Sequence, residues 1–406
     1  MLNVEAVKSD FPILKSKTSK GKSLVYLDNA ATTQKPQIVI NAIEEYYTTQ
    51  NANIHRGIYD LAAVATDLYE LARHKVKDFI GAQDQSQIVF CKGTTEAVNL
   101  VGKSFVSPRL QAGDEIVVSM MEHHSNLVPW QMLCQKARAV LKVIPITQSG
   151  ELKIDEAANL LTSKTKLLAL VHISNTLGTI NPITEIIRLA HKKDIPVLVD
   201  AAQSIGHQKI DVQALDCDFL AFSGHKMLGP MGIGILYAKT PHLEVMEPLQ
   251  YGGEMVQSVT IEATSFKAPP HKFEGGTPNV GGAIALGQAI DYLQHIGMEA
   301  IADYTERLTE HALRKLQTID GLRIIGQAKR RGSIISFTID DIHSHDIASI
   351  LNEEGIAIRA GHHCTQPLMQ FYQLPGTARV SFACYNTAEE IDHLADTLKT
   401  VKKIMA

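Results

Sequence analysis

Short apolar runs alternate with longer stretches whose apolar residues recur at helical spacing through most of the chain. The runs at 88–90, 115–119, 167–171, 196–199 and 219–222 read as buried strands, and stretches such as 183–192 as amphipathic helices. This alternation predicts an α/β protein with a mostly parallel sheet covered by helices on both faces. In such sheets ligands bind beyond the carboxyl ends of the strands. From about residue 283 the texture changes. A long helical stretch (283–316) precedes strand-like runs at 322–325 and 333–337, a helix over 345–354 and the segment 359–369. A strand near 378–382 and a last helix from 388 follow. We read 25–282 as a large domain and 283–406 as a connecting helix with a smaller α+β domain.

Composition narrows the classes. At 406 residues the chain exceeds one ordinary core and suits a large domain plus a smaller one. A hydrophobic share of 45% with 20% charged residues is the profile of a globular protein. A net charge of -4, with Lys and Arg dispersed, leaves no footprint for nucleic acid. Apolar runs such as 167–171 are too short to cross a membrane. The first residues lack a basic-then-apolar secretory pattern. Five cysteines at wide spacings argue against a disulfide framework and for a reducing cytosol, so a cytoplasmic location is expected.

The chemistry sits where the sheet predicts it. Asp200-Ala201-Ala202-Gln203 follows the strand at 196–199. A carboxylate there can keep the ring nitrogen of pyridoxal 5'-phosphate (PLP) protonated, which PLP needs as an electron sink. By itself an Asp in this place is more often a helix cap or a metal ligand. The next strand ends at Ser223-Gly224-His225-Lys226, followed by a Gly-rich apolar turn. Strand-end lysines are usually solvated, but one in an apolar turn can have a lowered pKa and bond an aldehyde. Ser223 and His225 are placed to donate to a phosphate. Gly93-Thr94-Thr95 opens a helix-like run and forms an anion site through free N–H groups; alone it reads as well as an ordinary cap. His123, after the strand at 115–119, can stack on a pyridine ring, although an isolated pair such as His123-His124 is more often structural or on the surface. Phosphate turn, stacking base, ring carboxylate and lysine follow one another in the order of a fold-type I PLP enzyme.

Cys364 stands apart from the other cysteines. Cys91, Cys134, Cys217 and Cys384 lie in or beside apolar segments and read as small core residues. Cys364 is preceded by Gly361-His362-His363 and followed closely by Pro367, and adjacent imidazoles can favour the nucleophilic thiolate. Zinc is the competing reading. Consecutive residues rarely converge on one tetrahedral ion and no Cys-x-x-Cys partner exists, so no metal is expected.

The ordered set Gly93-Thr94-Thr95-Glu96, His123, Asp200-Ala201-Ala202-Gln203 and Ser223-Gly224-His225-Lys226 resembles the aminotransferase class V family. Arg359-Ala360-Gly361-His362-His363-Cys364 is similar to the signature of its group II (SUF-type) cysteine desulfurases and their selenocysteine lyase relatives. The likeness runs from Asp10-Phe11-Pro12 and Tyr26-Leu27-Asp28-Asn29-Ala30-Ala31 to the final helix. It implies conversion of L-cysteine to L-alanine, with sulfur passed to Cys364 as a persulfide and onward to iron–sulfur cluster assembly. Release of selenium from L-selenocysteine is the alternative. The resemblance further implies Lys226 as Schiff-base and proton-transfer residue and Gln203 on the cofactor's hydroxyl. Arg379 and Asn175 are implied on the substrate carboxylate, with Arg359 beside the sulfur-transfer loop. It implies a homodimer in which Thr277 and the segment His55-Arg56-Gly57 reach the second subunit's site, and residues 1–24 packed with the small domain. A small sulfur-acceptor protein is implied too, zinc-bearing where His343 in Asp341-Ile342-His343-Ser344-His345-Asp346 offers a ligand; a polar helix-capping turn explains that segment equally well. One departure is visible: Thr365 stands where the family commonly has alanine after the cysteine, which predicts tuning of the loop.

Overall fold

The computed structural model describes residues 2–405. Met1 and Ala406, the outermost positions of the expected first and last segments, lie outside the described residues. A seven-stranded sheet runs in the order Ile88–Cys91, Gly234–Ala238, Phe219–Ser223, Val197–Asp200, Thr165–Val171, Glu115–Ser119, Val140–Ile144. Gly234–Ala238 is antiparallel to both neighbours and every other pairing is parallel. Six strands therefore finish on one edge.

The near-continuous apolar runs have a simple cause. Along Thr165–Val171, Leu168 and Leu170 enter one core while Leu167 and Ala169 enter the other. Val197 and Val199 against Leu198 repeat the alternation. A strand buried on both faces needs apolar residues at every position. Each fully buried Leu or Val contributes about 1.5–3 kcal/mol, so the sheet is a stiff platform for whatever its edge carries.

The expected helical stretch 283–316 is two helices, Val280–Ile296 and Met298–Leu316. Gly297 between them has φ +92°, a backbone that breaks the helical run and suits glycine. The first of these packs on Asp60–Phe79; the second continues towards a four-stranded antiparallel sheet. Its order is Leu322–Ile325, Ile334–Ile339, Thr377–Ser381, Arg359–Gly361. Near the N-terminus, Lys8 pairs with Glu390, and Phe11 packs 4.4 Å from Tyr385 between ring centroids. Val25–Tyr26 pairs in parallel with Ile356–Ala357, and Val25 and Leu27 join the core of the four-stranded sheet. Among the described residues no helix is long and apolar enough to cross a membrane.

Candidate active site

At the shared carboxyl edge lies a cavity of about 220 Å³. Thr94, Thr95, His123, Asn175, Asp200, Gln203, Ser223, His225, Lys226, Arg359, Cys364 and Arg379 all line it, drawn from both sheets. It brings together twelve of the fifteen residues expected from the sequence.

The phosphate end is built by close backbone approach. A Cβ on Gly234 would meet Gly93 Cα at 2.5 Å, so glycine here lets the reversed strand lie against the start of helix Thr94–Val101. Ser223 Oγ accepts the Thr94 N–H at 2.9 Å and shares a 2.8 Å hydrogen bond with the Thr94 hydroxyl. Thr95 and Ser125 share another at 2.7 Å. A helix N-terminus lined with hydroxyls can hold a phosphate.

Lys226 is set by an anchor the sequence did not disclose. The preceding carbonyl, that of His225, accepts from Thr33 N at 3.0 Å, the Thr32 and Thr33 hydroxyls at 3.1 Å each, and Lys35 Nζ at 3.2 Å. The peptide bearing Lys226 therefore cannot swing. Burial pulls the Lys226 amine down to about 8, against the opposing pull of Asp200. Burial raises the Asp200 carboxyl from its ordinary value, offset by the Ala202 N–H and by Lys226. His123 is lowered to about 3, by burial first and then by Lys226. Its Nδ1 accepts the Ser125 N–H at 3.1 Å, which places the proton of the neutral ring on Nε2.

Beneath His123, Glu122 takes hydrogen bonds from Ser119, Asn126 and Val171 N, tying the His123 turn to the ends of two strands. Asp28, expected only as part of a family motif, anchors both arginines: Oδ1 to Arg379 at 2.9 Å and Oδ2 to Arg359 at 3.1 Å. Arg379 also donates to the Asn175 carbonyl at 2.9 Å, and its Nε has no partner. Asn175 gives its side-chain N–H to the His363 carbonyl at 2.8 Å, so the free atom of that amide is an acceptor oxygen.

The cysteine loop is strained and pinned. His363 (φ +53°) and Cys364 (φ +58°) are consecutive left-handed residues, a conformation that costs about 1–3 kcal/mol at each. The Cys364 carbonyl accepts His124 N at 2.8 Å, and Gln366 N donates to His124 Nε2 at 3.2 Å. Each flanking imidazole has one ring nitrogen bound. His362 Nδ1 accepts the Cys364 backbone N–H, and His363 Nε2 bonds Thr377. Lys226 and Arg379 both interact electrostatically with Cys364. The other four cysteines are buried free thiols.

A family model, that of aminotransferase class V, matches residues 25–394. The chain belongs to this family. A protein of Halalkalibacterium halodurans named a probable cysteine desulfurase is 48% identical over 402 residues, covering 99% of this chain and 98% of its own. A cysteine desulfurase of Cronobacter sakazakii is 48% identical over 404 residues, 99% of each. Among solved structures, the cysteine desulfurase CsdA of Escherichia coli in its S-sulfonic acid form matches at a TM-score of 0.93 and 38% identity, covering both chains fully. The apo cysteine desulfurase of Thermococcus onnurineus matches at 0.94 and 37%, covering 99% of this chain and 98% of its own.

Aminotransferase class V cysteine desulfurases use PLP, and the residues here fit it. Asn175 Oδ1, His225 Nδ1, His363 Nδ1 and Arg379 Nε are buried without a hydrogen-bond partner, and all four side chains line the one cavity. Buried polar atoms are rarely left unpaired, so unpaired ones gathered in a single cavity mark a place for a polar guest. Three expected residues lie apart from it. His55 stands against Glu70 and His271, Arg56 pairs with Glu254 at 3.2 Å, and Thr277 is exposed beside a different cavity. The cavity of this single chain does not include them.

Proposed function

We propose that the chain is a cysteine desulfurase that converts L-cysteine to L-alanine and stores the sulfur as a persulfide on Cys364. One observation carries the assignment of residues: Lys226, Cys364 and the unpartnered Nε of buried Arg379 line one cavity. Thr94, Thr95, Ser223 and His225 would hold the cofactor's phosphate, Asp200 its ring nitrogen, His123 its face, Gln203 its hydroxyl and Lys226 its aldehyde carbon. When bound, the cofactor supplies an electron sink that acidifies the substrate's α-carbon. Arg379, held by Asp28, orients the substrate carboxylate. The Lys226 amine takes the α-proton and returns it. Cys364 Sγ attacks the substrate sulfur; the new S–S bond forms as the Cβ–S bond breaks, and protonation of the carbon fragment gives alanine.

A homodimer completes the site in this reading. His55-Arg56 is followed by exposed Ile58, Tyr59 and Leu61, and the segment before Thr277 exposes Tyr251, Val259 and Ile261. Apolar surface of this kind is what a second copy would cover. Sulfur then leaves for a small acceptor protein of an iron–sulfur assembly (SUF) system in the cytoplasm. His343 caps helix Ser344–Glu353 through Nδ1, which leaves Nε2 as the atom for an acceptor's zinc. The test is Cys364→Ser in the PLP-loaded enzyme. Sulfur release from L-cysteine should disappear while the cofactor's visible absorbance stays; unchanged release would overturn the assignment.

A further inference from the structure

Thr365 follows the candidate sulfur acceptor and is fully buried. Its hydroxyl donates to the His362 carbonyl at 3.0 Å, which leaves the oxygen to accept the Thr176 hydroxyl at 2.8 Å. Its backbone N–H closes the turn on the same carbonyl at 2.9 Å. Asn175, the neighbour of Thr176, grips the His363 carbonyl. Residues 175–176, beyond the end of strand Thr165–Val171, therefore clasp the loop on both sides of Cys364. The stretch between the two fasteners holds the consecutive left-handed residues His363 and Cys364. Strain of this kind persists only where the surroundings over-determine it.

We propose that Thr365 is a positioning residue whose hydroxyl, bridging Thr176 and the His362 carbonyl, latches the strained turn shut and keeps Cys364 in the Lys226 cavity. The closed latch favours sulfur uptake. Delivery to an acceptor protein needs Cys364 to come out, so the latch sets the balance between the two steps. Alanine, common at this position in the resembling enzymes, would leave the buried Thr176 hydroxyl without its acceptor and the turn without its tie. Serine would keep both bonds. The proposal rests on Cys364 as sulfur acceptor, but its test needs no turnover.

The experiment is alkylation of the PLP-loaded protein by iodoacetamide, with the rate at Cys364 followed by peptide mass spectrometry. The deeply buried Cys91, Cys134, Cys217 and Cys384 serve as internal controls. Thr365→Ala and Thr176→Val should each speed modification of Cys364 roughly three- to tenfold, the loss of one buried hydrogen bond. Thr365→Ser should stay near the parent rate. The double variant should be no faster than either single one, because both remove the same bond. A parent-like rate in Thr365→Ala, a fast Thr365→Ser, multiplying effects, or equal acceleration at the four buried cysteines would overturn the latch. Should Cys364→Ser still release sulfur, the functional reading falls while the alkylation result stands.

Discussion

The Asp28 carboxylate lies 2.9 Å from one terminal nitrogen of Arg379 and leaves Nε of the same buried guanidinium without a partner. An unpaired Arg in this setting would carry a large desolvation cost, so Asp28 is what allows the cation to stand ready. In the proposed reaction the free Nε is the atom that would take the substrate carboxylate.

Arg379→Lys should therefore raise KM for L-cysteine about 10- to 100-fold, the value of a lost charge-assisted hydrogen bond. The absorbance of the bound cofactor should not change. Asp28→Asn should raise KM in the same direction, because Arg379 loses its anchor. Steady-state kinetics of alanine formation check both. A variant Arg379→Lys with parent KM would remove Arg379 from substrate binding.

Cofactor loading should carry the signature of Lys226. Only the neutral amine can attack an aldehyde, and burial brings this amine from 10.5 to about 8. The rate of PLP incorporation into the apoprotein should rise with pH and level off just above 8 instead of near 10.5. Asp200 favours the ammonium form, so Asp200→Asn should move the midpoint to lower pH. Absorbance-monitored reconstitution across a pH series measures this; a midpoint near 10 would contradict the buried setting of Lys226.

Much of this site was legible because parallel sheets deliver it. Lys226, Asp200 and His123 each follow a recognisable apolar run, and a common strand direction places their side chains at one edge. The reversed strand Gly234–Ala238 escaped because its Gly-rich approach masks the period of a strand. Asp28 escaped because its partners lie 331 and 351 positions away, and no local pattern encodes such a pairing. The partners of the imidazoles beside Cys364 were not legible either: adjacency in sequence says nothing of where a ring points, and here His363 Nε2 bonds Thr377 while His362 Nδ1 takes the Cys364 backbone N–H. The break at Gly297 was available, as a lone glycine between two helical stretches.

His55, Arg56 and Thr277 give the proposed dimer a direct test. Mixing Lys226→Ala subunits with Arg56→Ala subunits should restore activity that neither variant has alone, since one intact site forms in each mixed dimer. Activity assays after reversible dissociation check this, and no recovery would place Arg56 outside any shared site.

The buried pair Arg73–Glu274 underlies the turn that carries Thr277, with Glu274 also accepting Phe90 N at 2.8 Å. Glu274→Ala should cost about 3 kcal/mol, the low end for breaking a buried ion pair, because Glu70 still holds Arg73 at 2.9 Å. Denaturant unfolding measures it, and Arg73→Met combined with Glu274→Met should recover much of the loss.

The most direct measurement is a single turnover of the PLP-loaded enzyme with L-cysteine and no acceptor, quantifying alanine and mapping the added sulfur. Sulfur transfer to Cys364 predicts about one alanine per site in a burst, one extra sulfur on Cys364, and no extra sulfur on the four buried cysteines. Continuous alanine production with Cys364 unmodified would contradict it.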